Sequence, residues 1–242
     1  MTASSSRAEK IGKNYRNVLG EVAEAAAAAG RNAAEIRTIG VTKYFGIAEA
    51  KALVDAGCLD LGESRPQEIW EKSLELPQSV RWHLIGHLQR NKVRRTLPLI
   101  HLLHSLDSDR LAGELQRESL AQGIRASVLL EIHIAGDATK TGMRAEDAEK
   151  WLAMYASDDN LRQQLQVLGL MGMSSLGAEA PQIHREFEFL RNRMHAWNDL
   201  FGMQMNELSM GMSQDYAIAI AQGATMVRIG SRLFEGLPDA ET

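Results

Sequence analysis

The chain has 242 residues, 45% hydrophobic and 24% charged, with 20 Gly, 5 Pro and one Cys, which excludes disordered, fibrous and disulfide-framed classes. Its 27 Lys and Arg against 31 Asp and Glu give a formal net charge of −4, the wrong sign for a general nucleic-acid binder. No run approaches the ~18 uncharged apolar residues of a membrane span, so the expectation is a cytoplasmic protein with Cys58 unpaired in a reducing compartment.

Residues 7–29 are charged and Ala-rich, with only Gly12 and Gly20 as breakers before Gly30, and predict a long opening helix. After it, short β-branched or apolar runs predict strands at 36–42, 59–62, 80–85, 100–106, 126–134, 165–173, 207–210 and 225–229. Helical spacing fills the gaps at 47–56, 66–76, 88–97, 110–122, 145–156, 179–201 and 214–221. Regular alternation of this kind implies parallel strands joined by crossover helices. Eight of them predict one α/β domain, a closed (β/α)8 TIM barrel over 36–242 with an extra N-terminal helix in 1–35 packed on it. A doubly wound sheet is the alternative, but no Gly-x-Gly-x-x-Gly follows the first strand.

Working residues of such a barrel collect at the C-terminal strand ends. The first strand leads into Lys43, the second into Gly62-Glu63-Ser64, the third through Trp82-His83 to His87, and the fourth ends His104-Ser105-Leu106-Asp107. The seventh reads Leu208-Ser209-Met210-Gly211-Met212-Ser213 before a helix, and the eighth Val227-Arg228-Ile229-Gly230-Ser231. Small residues, hydroxyls and a helix start after strands seven and eight predict a phosphate site. Lys43 alone reads as a solvent-reaching strand cap. Paired with a phosphate site it suggests an amine nucleophile at the mouth, partly desolvated and near another cation, and hence pyridoxal phosphate.

The runs Val41-Thr42-Lys43, Gly62-Glu63, Trp82 to Lys92, His104 to Asp107, Lys140-Thr141-Gly142, Gly169-Leu170-Met171, Leu208 to Ser213, Asp215 and Val227 to Gly230 closely resemble the pyridoxal phosphate homeostasis proteins. These are single-domain relatives of the alanine racemase barrel. The resemblance implies that pyridoxal 5'-phosphate forms a Schiff base with Lys43, with its phosphate around Ser213, Gly230 and Ser231. It further places Ser64, His83, Ser209, Met210 and Arg228 at the coenzyme. Ser64 stands where the family has Asn, and no proline follows Lys43 closely, the text reading Lys43-Tyr44-Phe45-Gly46-Ile47.

Arg228, inward-facing by alternation with Met226, stays charged and leaves a ring nitrogen unprotonated. A coenzyme-holding and coenzyme-delivering monomer in vitamin B6 homeostasis therefore ranks first, with amino acids and PLP-dependent apoenzymes as partners. A weak amino-acid racemase ranks second. Racemases take a second acid/base from a tyrosine of an additional domain, a context none of Tyr15, Tyr44, Tyr155 and Tyr216 has. A phosphate-handling barrel enzyme without this coenzyme ranks third.

The remaining signals have plainer readings. His83 and His87 straddle a strand end with no carboxylate to complete a metal set, His83 lining the pocket and His87 lying on the surface. Arg90, Lys92, Arg94 and Arg95 read as a solvated face, and Met171, Met173, Met203, Met205, Met210 and Met212 as core filler. Glu131 and His133 share the inner face of the fifth strand, as pocket groups or as an interior pair.

Overall fold

A computed structural model describes residues 3–135 and 141–237. Eight parallel strands close into a barrel in chain order: β1 (Arg37–Val41), β2 (Asp60–Glu63), β3 (Arg81–Leu84), β4 (Leu102–Leu106), β5 (Ala126–Glu131), β6 (Leu165–Met171), β7 (Glu207–Ser209) and β8 (Met226–Ile229). β8 returns to β1, with Ile39 opposite Arg228 and Gly40 opposite Ile229. Around it run α1 (Ala3–Ala28), α2 (Ile47–Asp55), α3 (Pro66–Glu75), α4 (Val93–Thr96), α5 (Asp109–Gln122), α6 (Ala145–Ser157), α7 (Asp159–Gln164), α8 (Ala180–Phe201) and α9 (Tyr216–Ala221).

Strand alternation separates two cores. Ile39, Leu102, Leu129, Met171 and Met226 fill the barrel interior, while Leu61, Leu103, Leu130, Val227 and Ile229 pack outward against the helices. Caps set the longer helices: Ser108 accepts from the Leu111 amide ahead of α5, and Gly123, at φ 65°, ends it.

The opening helix buries Ile11, Tyr15, Val18, Val22 and Ala26 in the outer core. It also clasps the far end of the chain. Lys10 donates to the Gly236 carbonyl and Asn14 to those of Leu233 and Glu235, while Arg31, just past the helix, donates to those of Ile220 and Ala224.

The prediction over 88–97 differs from the structure, where 3₁₀ turns at Arg90–Lys92 and Leu97–Leu99 flank the four-residue α4. Pro98 has no amide hydrogen to continue a longer helix. The fifth and sixth strands end earlier than predicted, at Glu131 and Met171, and α9 begins at Tyr216 rather than 214.

Candidate functional site

Lys43 lies just beyond the end of β1, at the mouth of the barrel. It is exposed, and its Nζ lies 4.9 Å from the centroid of the exposed Tyr44 ring. The expectation of a partly desolvated amine is therefore corrected: the chain carries Lys43 past the packed layers into solvent. Behind the rim Phe45 stacks on Phe234 with ring centroids 3.7 Å apart.

Next to Lys43, β8 leads into Gly230 and Ser231. The Gly230 amide donates to Ser213 Oγ at 3.3 Å, joining the loops after β7 and β8. Ser231 is exposed and opens a 3₁₀ turn to Phe234. Ser213 lies ahead of α9, which starts beyond it with Asp215 in the cap position. Asp215 instead accepts from the Met212 amide and the Ser174 hydroxyl, both at 2.6 Å, tying the loop after β7 to the loop after β6. Gly211 makes that loop possible: at φ 88°, a Cβ there would stand 2.9 Å from Tyr216 Cα.

Ser64 follows β2, half-buried. Its backbone lies so close to Gly86 that a Cβ on Gly86 would collide with it, while Ser105 donates to the Gly86 carbonyl at 2.7 Å. The mouth loops after β2 and β3 are thus packed backbone to backbone. His87 sits on this rim, exposed, 2.8 Å from Asp107, in accord with its surface reading.

Inside the barrel a chain of polar side chains starts two residues before Gly230. Arg228 is 4% exposed and donates to the Ser209 carbonyl at 2.8 Å, to Ser209 Oγ at 2.7 Å and to the Gly172 carbonyl at 3.2 Å. Burial lowers its pKa to about 10, with Asp215 and Glu131 acting the other way, so it remains a cation at neutral pH. Ser209 Oγ meets His104 Nδ1 at 2.8 Å, His104 Nε2 meets His83 Nδ1 at 2.8 Å, and His83 Nε2 meets Asp60 Oδ1 at 3.0 Å. Asp60 accepts from Arg81 through both oxygens. Burial works against the Asp60 charge, but hydrogen bonds from Arg81 and His83 outweigh it and hold the carboxyl well below the usual range. Burial pushes both histidines down, His104 most strongly.

Glu131 also faces inward, buried, and accepts from the Thr141 hydroxyl. Burial pushes its carboxyl up and Asp107 adds to this, against the Thr141 hydrogen bond. His133 lies beyond the strand end, half-buried.

A second buried cluster lies outside the barrel. Glu63 and Lys72, 0% and 2% exposed in their side chains, pair at 2.6 Å, and Lys72 also donates to the Thr42 carbonyl at 3.0 Å. Thr42 Oγ1 donates to the same Glu63 oxygen. Glu63 Oε2 has no hydrogen-bond partner among the described residues, and burial pushes this carboxyl up against the Lys72 and Thr42 bonds.

Two predicted site residues move. His83 is fully buried, with both ring nitrogens engaged by Asp60 and His104, so it supports the interior and does not wall the mouth. Met210 belongs to the outer core, because alternation turns it away from the barrel once Ser209 points in. Sequence reasoning missed Asp60, whose signal was its even spacing from Gly62 on one face of β2, and His104, which stood in a polar strand ending without a role. Lys140 lies outside the described residues. Among the described residues no group of three or more His, Cys, Asp or Glu is placed to hold a metal, and no helix is long and apolar enough to cross a membrane.

A closed parallel barrel with a rim lysine after β1 and a buried arginine on β8 is the barrel of the alanine racemase class. The sequence matches the family described as alanine racemase, N-terminal domain, over residues 19–238. It is 36% identical to the pyridoxal phosphate homeostasis protein of Synechocystis over 82% of this chain and 90% of that one. It is 34% identical to the protein of that name in Pseudomonas aeruginosa, over 93% and 94%. The chain belongs to the pyridoxal phosphate homeostasis protein family. Among solved structures, an unknown protein from Bifidobacterium adolescentis superposes with a TM-score of 0.87 at 33% identity, covering 95% and 96% of the two chains. PipY of Synechococcus elongatus with PLP bound gives 0.77 at 31%, covering 88% and 99%.

Proposed function

We propose that this chain binds pyridoxal 5'-phosphate at the barrel mouth, holds it covalently through Lys43, and serves vitamin B6 homeostasis by passing it to PLP-dependent apoenzymes with little or no catalysis. The observation that carries the reading is the juxtaposition on β1 and β8. β1, which leads into the rim lysine, pairs with β8, which leads into a backbone amide and hydroxyl joined to each other, Gly230 and Ser213, with a buried guanidinium two residues before Gly230. Those donors suit the three polar ends of the coenzyme: amine for aldehyde, hydroxyl and N–H for phosphate, guanidinium for ring nitrogen.

Bound there, the coenzyme would supply an electrophilic aldehyde and an electron-accepting ring. Arg228, still charged, keeps its proton at neutral pH, and a ring nitrogen left unprotonated withdraws electrons weakly. Exposure of Lys43 leaves its amine within reach of amino acids and recipient proteins. Ser64, half-buried between the β2 and β3 loops, keeps only a hydroxyl on that side of the mouth.

The test is borohydride reduction of the coenzyme-loaded protein followed by peptide mapping. The pyridoxyl label is expected on Lys43, and a label on Lys140 or another lysine overturns the assignment. Exchange of amino-acid α-hydrogen with solvent deuterium at ~1 s⁻¹ or more, an ordinary turnover, would overturn the non-catalytic half and favour a racemase.

A further inference from the structure

The buried line from Arg228 to Asp60 has a direction, and its far end sets it. Arginine only donates and carboxylate only accepts, so the two ends are fixed. Between them Ser209, His104 and His83 each can donate or accept. Arg228 places an N–H on Ser209 Oγ, leaving the serine hydrogen free to point at His104 Nδ1. His104 then carries its proton on Nε2 and donates to His83 Nδ1, and His83 carries its proton on Nε2 and donates to Asp60.

In the opposite arrangement both rings are protonated on Nδ1, and a bare His83 Nε2 faces a carboxylate oxygen at 3.0 Å. Two lone pairs opposed in a buried site decide against it. A doubly protonated ring is disfavoured by burial at both histidines and by the nearby Arg37, with His101 edge-on to His83 at 5.7 Å. Arg81, 45% exposed in its side chain, and Arg37, 4.0 Å from Asp60, keep the acceptor charged at the face opposite the mouth.

We propose that Asp60 is a positioning residue for the coenzyme: through His83, His104 and Ser209 it fixes the hydrogen-bond polarity of the barrel interior and thereby holds Arg228 in place below the mouth. The coenzyme part of this inference rests on the function proposed above. With an asparagine at position 60, the amide can accept from Arg81 and donate to His83 Nε2, so the line is free to reverse. Ser209 Oγ would then accept from both His104 Nδ1–H and Arg228, and its own hydrogen would lose His104 as an acceptor and with it the orientation that holds Arg228.

Histidine 15N spectra of the coenzyme-free protein test the polarity first. His83 and His104 are expected as single neutral forms protonated on Nε2, and protonation of His104 on Nδ1 overturns the proposal. Asp60→Asn should then convert His104 to a mixture or to the Nδ1–H form. It should also speed hydrogen exchange at the Arg228 guanidinium and move the visible absorption maximum of the loaded protein. Unchanged tautomers, or changed tautomers with an unmoved Arg228 signal, overturn it. Arg81→Gln, which leaves the carboxylate in place, should keep the Nε2–H forms, and their loss would also count against it. Should Asp60→Asn not fold, His83→Gln is read by the same two signals: a changed His104 form with faster Arg228 exchange supports the proposal, and either one unchanged overturns it. Failure of the unaltered protein to show the absorption of lysine-bound coenzyme bears on the proposed function alone, since the tautomer and exchange spectra need no coenzyme.

Discussion

Two carboxylates of β2, three residues apart, are driven in opposite directions. Asp60 points into the barrel and is held as a carboxylate below its usual range, while Glu63 points out toward α3 and is pushed up. Both are buried, so burial alone does not distinguish them. The donors do. Asp60 receives a bidentate arginine and a histidine N–H on its two oxygens, whereas Glu63 gathers Lys72 and Thr42 on one oxygen and leaves the other without a partner among the described residues. The Glu63 cluster is a closed knot joining β1, β2 and α3. The Asp60 line runs through the barrel and ends at Arg228.

Breaking the knot should have the largest effect on stability. Lys72→Met leaves Glu63 buried without its cation, a loss of about 3–5 kcal/mol by urea unfolding. The double change Lys72→Met with Glu63→Leu should recover much of it, because a well-packed apolar pair replaces both charges. Equal losses in the single and double variants would mean that packing around α3, and not the charge, holds that layer.

The contrast in titration predicts pH behaviour of opposite sign. Asp60, lowered on folding, contributes stability that is complete above its unfolded pKa of about 3.9 and is lost as pH falls toward its folded value. The gap in unfolding free energy between the protein and Asp60→Asn should therefore be constant at neutral pH and shrink below about pH 4. Glu63, raised on folding, costs stability as pH climbs above about 4.3. Removing it together with Lys72 should flatten that part of the profile.

Smaller effects fall on the rim. Ser213→Ala removes one acceptor for the Gly230 amide, worth about 0.5–1.5 kcal/mol, and should weaken pyridoxal phosphate binding more than that of unphosphorylated pyridoxal. Equal loss for both, measured by titration, would leave Ser213 a loop clasp only. Lys43→Ala, at an exposed position, should change unfolding free energy by no more than about 0.5 kcal/mol while abolishing the visible band of lysine-bound coenzyme.

The sequence by itself determined the barrel, because eight apolar runs alternating with helical spacing leave parallel pairing with crossovers as the economical solution. It also placed Lys43, Ser213, Arg228, Gly230 and Ser231 on neighbouring strand ends, since the order of strands around a barrel follows their order in the chain. Parity within β8 was legible too, with Met226 and Arg228 inside and Val227 and Ile229 outside. Alternation is local and survives without knowledge of the partner strand. Depth and pairing across the barrel are not local. Which histidine sits at the mouth and which in the interior depends on how far each strand rises against the others, so His83 looked like a pocket wall. The line from Asp60 to Arg228 passes through β2, β3, β4, β7 and β8 and joins residues 168 positions apart; no spacing in the chain records such a path, and only closure of the barrel brings its members within hydrogen-bonding distance.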